Sequence, residues 1–144
     1  MTDARHAEYG GDATSALIAP IACAAPSRVP GAPMLSGPRM KVSVVGGTRA
    51  AAIYGQAVIE EEFFCNYGLN PDYQQRLAAA GLTLTGFDER GEVRMIELRD
   101  RRFYLGTLFL PQLASTESAP HPVVAAFVRA AAAFAESRRM PSLP

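Results

Sequence analysis

Cysteine is scarce in this sequence, with only Cys23 and Cys65 present. Two cysteines are too few to form the disulfide framework of a small secreted protein, and their scarcity fits a reducing cytoplasm. Charge of one sign is also lacking, because 14 basic residues balance 14 acidic ones and no long-range field favours nucleic acid or an anionic membrane. Apolar runs stay shorter than the roughly 18 to 20 residues needed to cross a bilayer. We therefore predict a cytoplasmic protein that binds neither nucleic acid nor membranes.

Signatures of secretion and of metal binding are missing as well. The apolar stretch from Ala16 to Ala25 follows acidic rather than basic residues and is interrupted by proline, which is not typical of a signal peptide. Histidine occurs only as His6 and His121, and neither has further ligand residues at metal-binding spacing. We predict no metal and no cofactor. For His121, which lies between two prolines, the prediction is a structural or merely exposed role.

Periodicity and turn signals predict one α/β domain. Residues 1–38 are punctuated by proline and glycine and are predicted to be irregular and partly mobile, whereas residues 39–140 should form the domain. The predicted strands are Leu17–Ile21, Lys41–Val45, Glu60–Tyr67, Leu82–Thr85, Val93–Leu98 and 103–112. The predicted helices are Ala50–Gly55, Asn70–Gly81 and Val123–Arg139. The last helix should pack an apolar face on the sheet, formed by Val123, Val124, Phe127, Val128, Ala131 and Phe134.

The stretch 103–112 is the one that relates the chain to a known family. It ends at Pro111, and its sequence Leu108-Phe109-Leu110-Pro111-Gln112-Leu113 has the frame of a Gln-Phe-His-Pro-Glu-Phe motif. Together with Ile-Tyr-Gly at 53–55, it makes the block from Ile53 to Val128 resemble the C-terminal part of a class I glutamine amidotransferase domain, most closely that of CTP synthase. The resemblance implies an α/β, flavodoxin-like open sheet with flanking helices, and a link to pyrimidine biosynthesis.

The same resemblance shows which functional positions have changed. The family's catalytic histidine falls on Leu110 and its orienting glutamate on Gln112, and neither side chain can move a proton. The arginine that grips the glutamine carboxylate in the family falls on Asn66. Glu8, in Arg5-His6-Ala7-Glu8-Tyr9, matches a glutamate that holds the amino group of glutamine. Glu8 and Asn66 are therefore the implied substrate-binding positions, while the run 60–62 is predicted to be a solvated strand entrance.

The family's nucleophile motif, Gly-x-Cys-x-Gly, does not occur in the sequence. On the alignment implied by the resemblance, the chain starts just downstream of that motif, so we expect a truncated pseudoenzyme that does not hydrolyse glutamine and serves in binding or assembly. One alternative is thiol chemistry by Cys65, on a predicted central strand, or by Cys23, since some stand-alone relatives of the CTP synthase C-terminal region contain selenocysteine. Another alternative is that the chain is a fragment of a longer CTP synthase-related amidotransferase.

The family's sheet leads to an expectation about assembly. That sheet is parallel, is covered by helices and is extended by strands from the N-terminal half of the family's domain. Without that half, the strands at Lys41–Val45 and 103–110 would leave unpaired backbone open to water. We expect either that the segment from Ala16 to Pro38 covers this gap, or that a homodimer or another protein partner does.

Overall fold

The computed structural model describes residues 4–10, 12, 14–20, 39–63 and 65–139. Cys23 and most of the segment from Ala16 to Pro38 lie outside the described residues. The strands are β1 (Ile18–Pro20), β2 (Arg39–Val44), β3 (Val58–Glu62), β4 (Tyr67–Leu69), β5 (Leu82–Asp88), β6 (Val93–Leu98) and β7 (Leu105–Thr107). The helices are α1 (Arg49–Tyr54), α2 (Gln74–Ala79) and α3 (Pro122–Arg139), with single 3₁₀ turns at Ala7–Tyr9 and Pro71–Tyr73.

Two sheets organise these elements. The larger one has five strands in the order β3-β2-β5-β6-β7, and the smaller one pairs β1 with β4. Every described pairing within them is antiparallel. The predicted α/β open sheet with flanking helices is confirmed, but the parallel arrangement expected for it is wrong for the described strands. A short turn explains the direction of β5 and β6, because strands joined by a tight turn must run in opposite directions. Strands β2 and β5 are antiparallel although several elements separate them in sequence.

Local sequence signals set most element ends. Thr48 caps α1 by accepting a hydrogen bond from the Ala51 amide at 3.1 Å, and Gly55 ends the helix with a φ of 66°. Asn70 accepts from the Asp72 amide at 3.0 Å and opens the 3₁₀ turn that leads into α2. The predicted hairpin is confirmed as β5 and β6, with Leu84 opposite Ile96.

Two predicted strands are shorter than the sequence pattern indicated. The continuous strand at 60–67 is wrong, because the chain leaves the larger sheet after β3 and joins the smaller one as β4. The stretch 103–112 contributes only β7, Leu105–Thr107, which pairs with Glu97 to Met95 of β6. Its earlier residues form bends rather than a ladder, and Pro111 begins a turn. Aromatic and aliphatic residues in both stretches serve the core rather than extended pairing.

The larger sheet curls until its two edges touch. Phe63, directly after β3, forms an isolated antiparallel bridge with Phe109, just beyond β7. Their rings meet edge to face with centroids 5.7 Å apart, and both side chains are buried in the main core cluster. The prediction is that Lys41–Val45 does not stay open to water because a covering segment or a second chain pairs with it, whereas in the structure β2 is paired on both sides by β3 and β5. The predicted homodimer itself stays a prediction.

Helix α3 begins at Pro122, one residue before the predicted start, and packs differently from the prediction. Only Val123 and Ala126 are buried along it, whereas Phe127 and Val128 are 56% and 58% exposed. The helix approaches the fold through its first turns and through contacts such as the Phe103 ring against Phe127, at 5.6 Å between centroids. The predicted packing of Ala131 and Phe134 on the sheet is wrong for the same reason. Within the described ranges, no helix combines the length and apolarity needed to cross a membrane.

Candidate functional site

A cavity of about 710 Å³ lies between the smaller sheet, helix α2 and the strands β5, β6 and β7. Its wall is predominantly apolar, with Leu17, Leu77 and Ile96 among its members. Three of the predicted site residues, Glu8, Asn66 and Cys65, are brought together at this wall although they come from separate parts of the chain. The cavity is therefore where sequence prediction and geometry coincide.

Asn70 fixes the N-terminal segment that forms one side of the cavity. Its side-chain amide donates to the carbonyls of Thr14 and Ala16, at 3.2 and 2.9 Å. The Tyr73 hydroxyl adds a hydrogen bond of 2.7 Å to the Ser15 carbonyl. Asn70 is buried and also caps the turn before α2, so Asn70 and Tyr73 together tie residues 14–16 to the domain. Leu17 and Glu8 reach the cavity as a result.

Arg94 is the buried charge at this site, and sequence reasoning missed it. Its side chain has a relative exposure of 0% and donates to Asp88 Oδ2 from Nε at 3.1 Å and from Nη2 at 2.7 Å. Nη2 also donates to Glu92 Oε2 at 2.7 Å, and the guanidinium carbon lies 5.0 Å from the Phe63 ring centroid. Nη1 has no hydrogen-bond partner in the part of the chain that the structure describes.

Asp88 is the anchor of that arginine. Its Oδ1 accepts hydrogen bonds from the backbone amides of Arg90 and Glu92, both at 2.9 Å, so the carboxylate closes the β5–β6 turn. Burial by itself would raise the pKa of Asp88, but the hydrogen bonds from Arg94 and from those amides outweigh it, and the pKa lies below its ordinary value. Asp88 is therefore ionised beside Arg94 at neutral pH.

Cys65 lies at the cavity wall between β3 and β4, not on a central strand as predicted. The thiol is half-buried and free of any disulfide. Burial raises the pKa of Cys65, and the positive charge of Arg94 opposes that rise only in part. A thiol in this setting is mostly protonated at neutral pH and is a poor nucleophile. The alternative candidate, Cys23, lies outside the described residues.

Leu110 and Gln112, at the family's catalytic positions, are not among the residues that line the cavity. Leu110 is half-buried, and Gln112 is exposed in the turn that starts at Pro111. At the cavity itself, Glu8 and Asn66 are exposed side chains at its rim. In the described ranges, no group of three or more histidine, cysteine, aspartate or glutamate side chains is placed to hold a metal ion.

A second buried polar cluster joins Glu61, His121 and Tyr54. His121 Nε2 lies 2.9 Å from Glu61 Oε1, and the Tyr54 hydroxyl donates to the same oxygen at 3.0 Å. The Val123 amide donates to His121 Nδ1 at 3.2 Å, so Nδ1 carries no proton and Nε2 is the donor to Glu61. Burial, followed by the charge of Glu61 and the hydrogen bond to it, raises the pKa of Tyr54 far above its ordinary value.

This cluster corrects one prediction and settles another. The run 60–62 is not wholly solvated, because Glu61 is only 6% exposed. His121 has the structural role that was predicted, since it holds the start of α3 against β3 and α1. None of the three side chains lines the cavity, so the pair of His121 and Glu61 is a structural contact rather than part of that site.

The chain is similar in sequence to known CTP synthases. No protein-family profile matches the chain. A CTP synthase from Sulfurisphaera tokodaii is 42% identical over 92 residues, which are 64% of this chain and 17% of that relative. A CTP synthase from Cytophaga hutchinsonii is 38% identical over 94 residues, 65% of this chain and 17% of that relative.

The solved structure of a Trypanosoma brucei CTPS glutaminase domain with bound acivicin matches 91% of this chain, with a TM-score of 0.76 and 28% identity. The chain contains a CTP synthase glutaminase-like region. The predicted family resemblance is thereby confirmed, together with the fold class. The chain spans about a sixth, 17%, of the length of these two CTP synthases and 51% of the matched glutaminase-domain chain. The roles predicted for individual residues of the glutaminase-like region stay predictions.

Proposed function

We propose that this chain is a glutaminase-like protein that binds a small molecule in its cavity and does not hydrolyse glutamine. The observation that carries the proposal is the cavity wall, which gathers Glu8, Asn66 and Cys65 while leaving out Leu110 and Gln112. The cavity supports a binding role, in a fold whose family positions for proton transfer hold side chains that cannot titrate. Binding without acyl transfer fits this combination.

The chemistry of glutamine hydrolysis needs an activated nucleophile and a base that a third group orients. Leu110 and Gln112 cannot act as the base and its orienting group. The sequence contains no Gly-x-Cys-x-Gly motif, and Cys65 has a pKa that is raised rather than lowered. A thiol that burial keeps protonated does not attack an amide at a useful rate.

The size and lining of the cavity support the binding half of the proposal. About 710 Å³ falls within the range that small-molecule sites in proteins occupy, roughly 300 to 1,000 Å³. A mostly apolar wall with a few polar groups is the usual composition of such sites. The polar groups here include Arg94, Asn66 and the Cys65 thiol.

Ammonia release from glutamine tests the catalytic half. We expect the purified chain to release no ammonia above the buffer rate, and the double variant Leu110→His/Gln112→Glu to behave identically because no activated thiol is present. A Cys65→Ser version of each protein is the matched control. Ammonia production that depends on Cys65 would contradict the proposal and would support nucleophilic chemistry at that thiol.

We also propose that the chain self-associates through helix α3. Phe127 and Phe134 stand on one side of α3, two turns apart, and are 56% and 38% exposed. Val128 beside them is 58% exposed, so this helix presents an apolar face to water. We expect a dimer by sedimentation or light scattering at micromolar concentration, and Phe127→Ser/Val128→Ser should return it to a monomer. A compact wild-type monomer would contradict this part.

A further inference from the structure

The described residues of the range 4–20, which we call the strap, form one side of the cavity. Its cavity-lining members are His6, Glu8, Leu17 and Ile18. Ala16 is the one buried residue among the described strap residues, and the others are half-buried or exposed. The main core cluster includes none of them. A segment with so little buried apolar surface belongs to the low-stability end of a fold, where local opening does not require the core to unfold.

Hydrogen bonds hold the strap on the domain. Strand β1 of the strap pairs with β4 through three residue pairs. The Asn70 side chain donates to two strap carbonyls, at 2.9 and 3.2 Å, and the Tyr73 hydroxyl donates to a third at 2.7 Å. The Asn70 backbone amide adds a hydrogen bond of 2.9 Å to the Leu17 carbonyl. Because all of these bonds join the strap to one stretch of chain, they break together when the strap leaves β4.

A molecule in the cavity would add contacts to the strap. Leu17 and Ile18 line the cavity from the strap, and further lining residues come from other elements, with Leu77 on α2, Leu82 on β5 and Ile96 on β6. A molecule that touches the strap and these elements binds the closed strap more tightly than the open one. By linkage, such a molecule lowers the population of the open strap in proportion to its own binding.

Resting on the binding function proposed above, we propose that the strap is a conformational switch that cavity occupancy controls. The strap opens and closes as a unit while the cavity is empty, and a small molecule in the cavity locks it onto β4. Asn70 and Tyr73 set the balance, because their side chains bond to strap carbonyls. Opening frees the edge of β4, Tyr67–Leu69, so occupancy determines whether another chain can pair with that edge.

Hydrogen exchange followed by NMR on the full chain tests the opening. The amide of Asn70 is released when the strap opens, because it donates to the Leu17 carbonyl. The Val45 amide donates to the Thr85 carbonyl at 2.9 Å within the larger sheet and is released only when the core opens. After correction for intrinsic rates, we expect the residue 70 amide to exchange at least about tenfold faster than that of Val45. Equal protection of the two amides would place the strap in the core unit and overturn the inference.

Two variants and a matched control test the attachments. Tyr73→Phe removes only the hydroxyl that bonds to the strap, and Asn70→Ser keeps a capping oxygen for the turn before α2 but loses the donors to the strap. Each should speed exchange at residue 70 by about threefold or more and leave Val45 unchanged. Tyr9→Phe is the control, since Tyr9 is 82% exposed and its hydroxyl has no recorded bond in the described part of the chain. If Asn70→Ser does not fold, Tyr73→Phe decides, and an unchanged rate there would overturn the inference.

Three probes with an apolar ring test the control by occupancy: phenylacetamide, phenylacetate and phenethylamine, which are neutral, anionic and cationic. Titration calorimetry gives their dissociation constants. With the tightest binder at a free concentration of about ten times its constant, we expect exchange at residue 70 to slow about tenfold. Leu77→Trp fills the cavity from α2 and should abolish both the binding and the slowing.

The outcomes separate this inference from the function on which it rests. Binding that Leu77→Trp abolishes, without slower exchange at residue 70, would overturn the strap as a switch and still uphold a binding cavity. Absence of binding by all three probes would overturn both proposals.

Discussion

Replacing Glu61 by alanine removes the one acceptor that two buried donors share. The Tyr54 hydroxyl and His121 Nε2 both bond to Glu61 Oε1, at 3.0 and 2.9 Å, and no other partner is recorded for either donor among the described residues. Each donor left unpaired in the interior costs about 1 to 3 kcal/mol. We therefore expect Glu61→Ala to lower the free energy of unfolding by about 2 to 6 kcal/mol, since two donors lose their acceptor.

Two further variants separate the contribution of charge from that of hydrogen bonding. Glu61→Gln keeps an oxygen that both donors can use but removes the charge, and charge-assisted hydrogen bonds are about twice as strong as neutral ones. Its expected cost is about 1 to 2 kcal/mol. Glu62→Ala is the matched control on the next residue, which is exposed opposite Arg39 and should cost less than about 1 kcal/mol.

Urea denaturation followed by circular dichroism provides the measurement, since the sequence has no tryptophan for fluorescence. The comparison is valid when the slopes of the transitions agree among the variants. A Glu61→Ala cost no larger than that of Glu62→Ala would refute the argument, because it would mean that the cluster contributes nothing to stability. A Glu61→Gln cost equal to that of alanine would show instead that the charge, rather than the shared oxygen, is decisive.

Three other predictions concern the turn, the thiol and a tight contact in the sheet. Because the pKa of Asp88 lies below its ordinary value, its contribution to stability is complete above about pH 4 and is lost as the pH falls further, so Asp88→Asn should flatten the fall in denaturation midpoint in acid. A wild-type midpoint that stays constant in acid would contradict this. Because the pKa of Cys65 is raised, its alkylation rate in a single-thiol variant should keep rising above about pH 8.5, and a plateau at lower pH would contradict the assignment. A Cβ at Gly86 would lie 2.5 Å from Met95 Cε, so Gly86→Ala should cost about 1 to 3 kcal/mol in denaturation, whereas Gly46→Ala, with nothing within 4 Å, should cost much less.

Features encoded by neighbouring residues were predictable from the sequence. The β5–β6 hairpin follows from two strand-like runs joined by a short polar turn that contains Gly91. Asn70 and Gly55 mark element ends because capping depends on the side chain and backbone of one or two residues. The family frame around Leu110 also depends on contiguous residues and needs no knowledge of the fold.

Features that join distant residues were not predictable in the same way. Glu61 and His121 are 60 positions apart, and a run of three glutamates normally indicates an exposed strand. One signal was available, because the middle residue of such a run faces opposite to its neighbours on a strand. Arg94 lies in β6, where Glu97 is a second charged residue, and its burial depends on the carboxylates of Asp88 and Glu92 at the hairpin turn.

The packing of helix α3 was not predictable for a different reason. Apolar residues at three- and four-residue spacing predicted a helix correctly, but the spacing does not say which surface covers each position. Val123 is buried and Phe127 is not, although both belong to the same periodic set. The difference arises because α3 packs mainly against helix α1 rather than along the sheet, which depends on where the chain directs the helix and not on the sequence of the helix itself.

The bridge between Phe63 and Phe109 has a consequence for how the chain reaches its native state. These residues can meet only after β2, β5 and β6 have been placed between β3 and β7, whereas the β5–β6 hairpin closes through contacts that are near in sequence. Closing a long loop costs more chain entropy than closing a short one, so the bridge forms late. Until then both edges of the sheet offer free amides and carbonyls to other chains. Refolding therefore competes with aggregation, and dilute conditions favour the closed sheet.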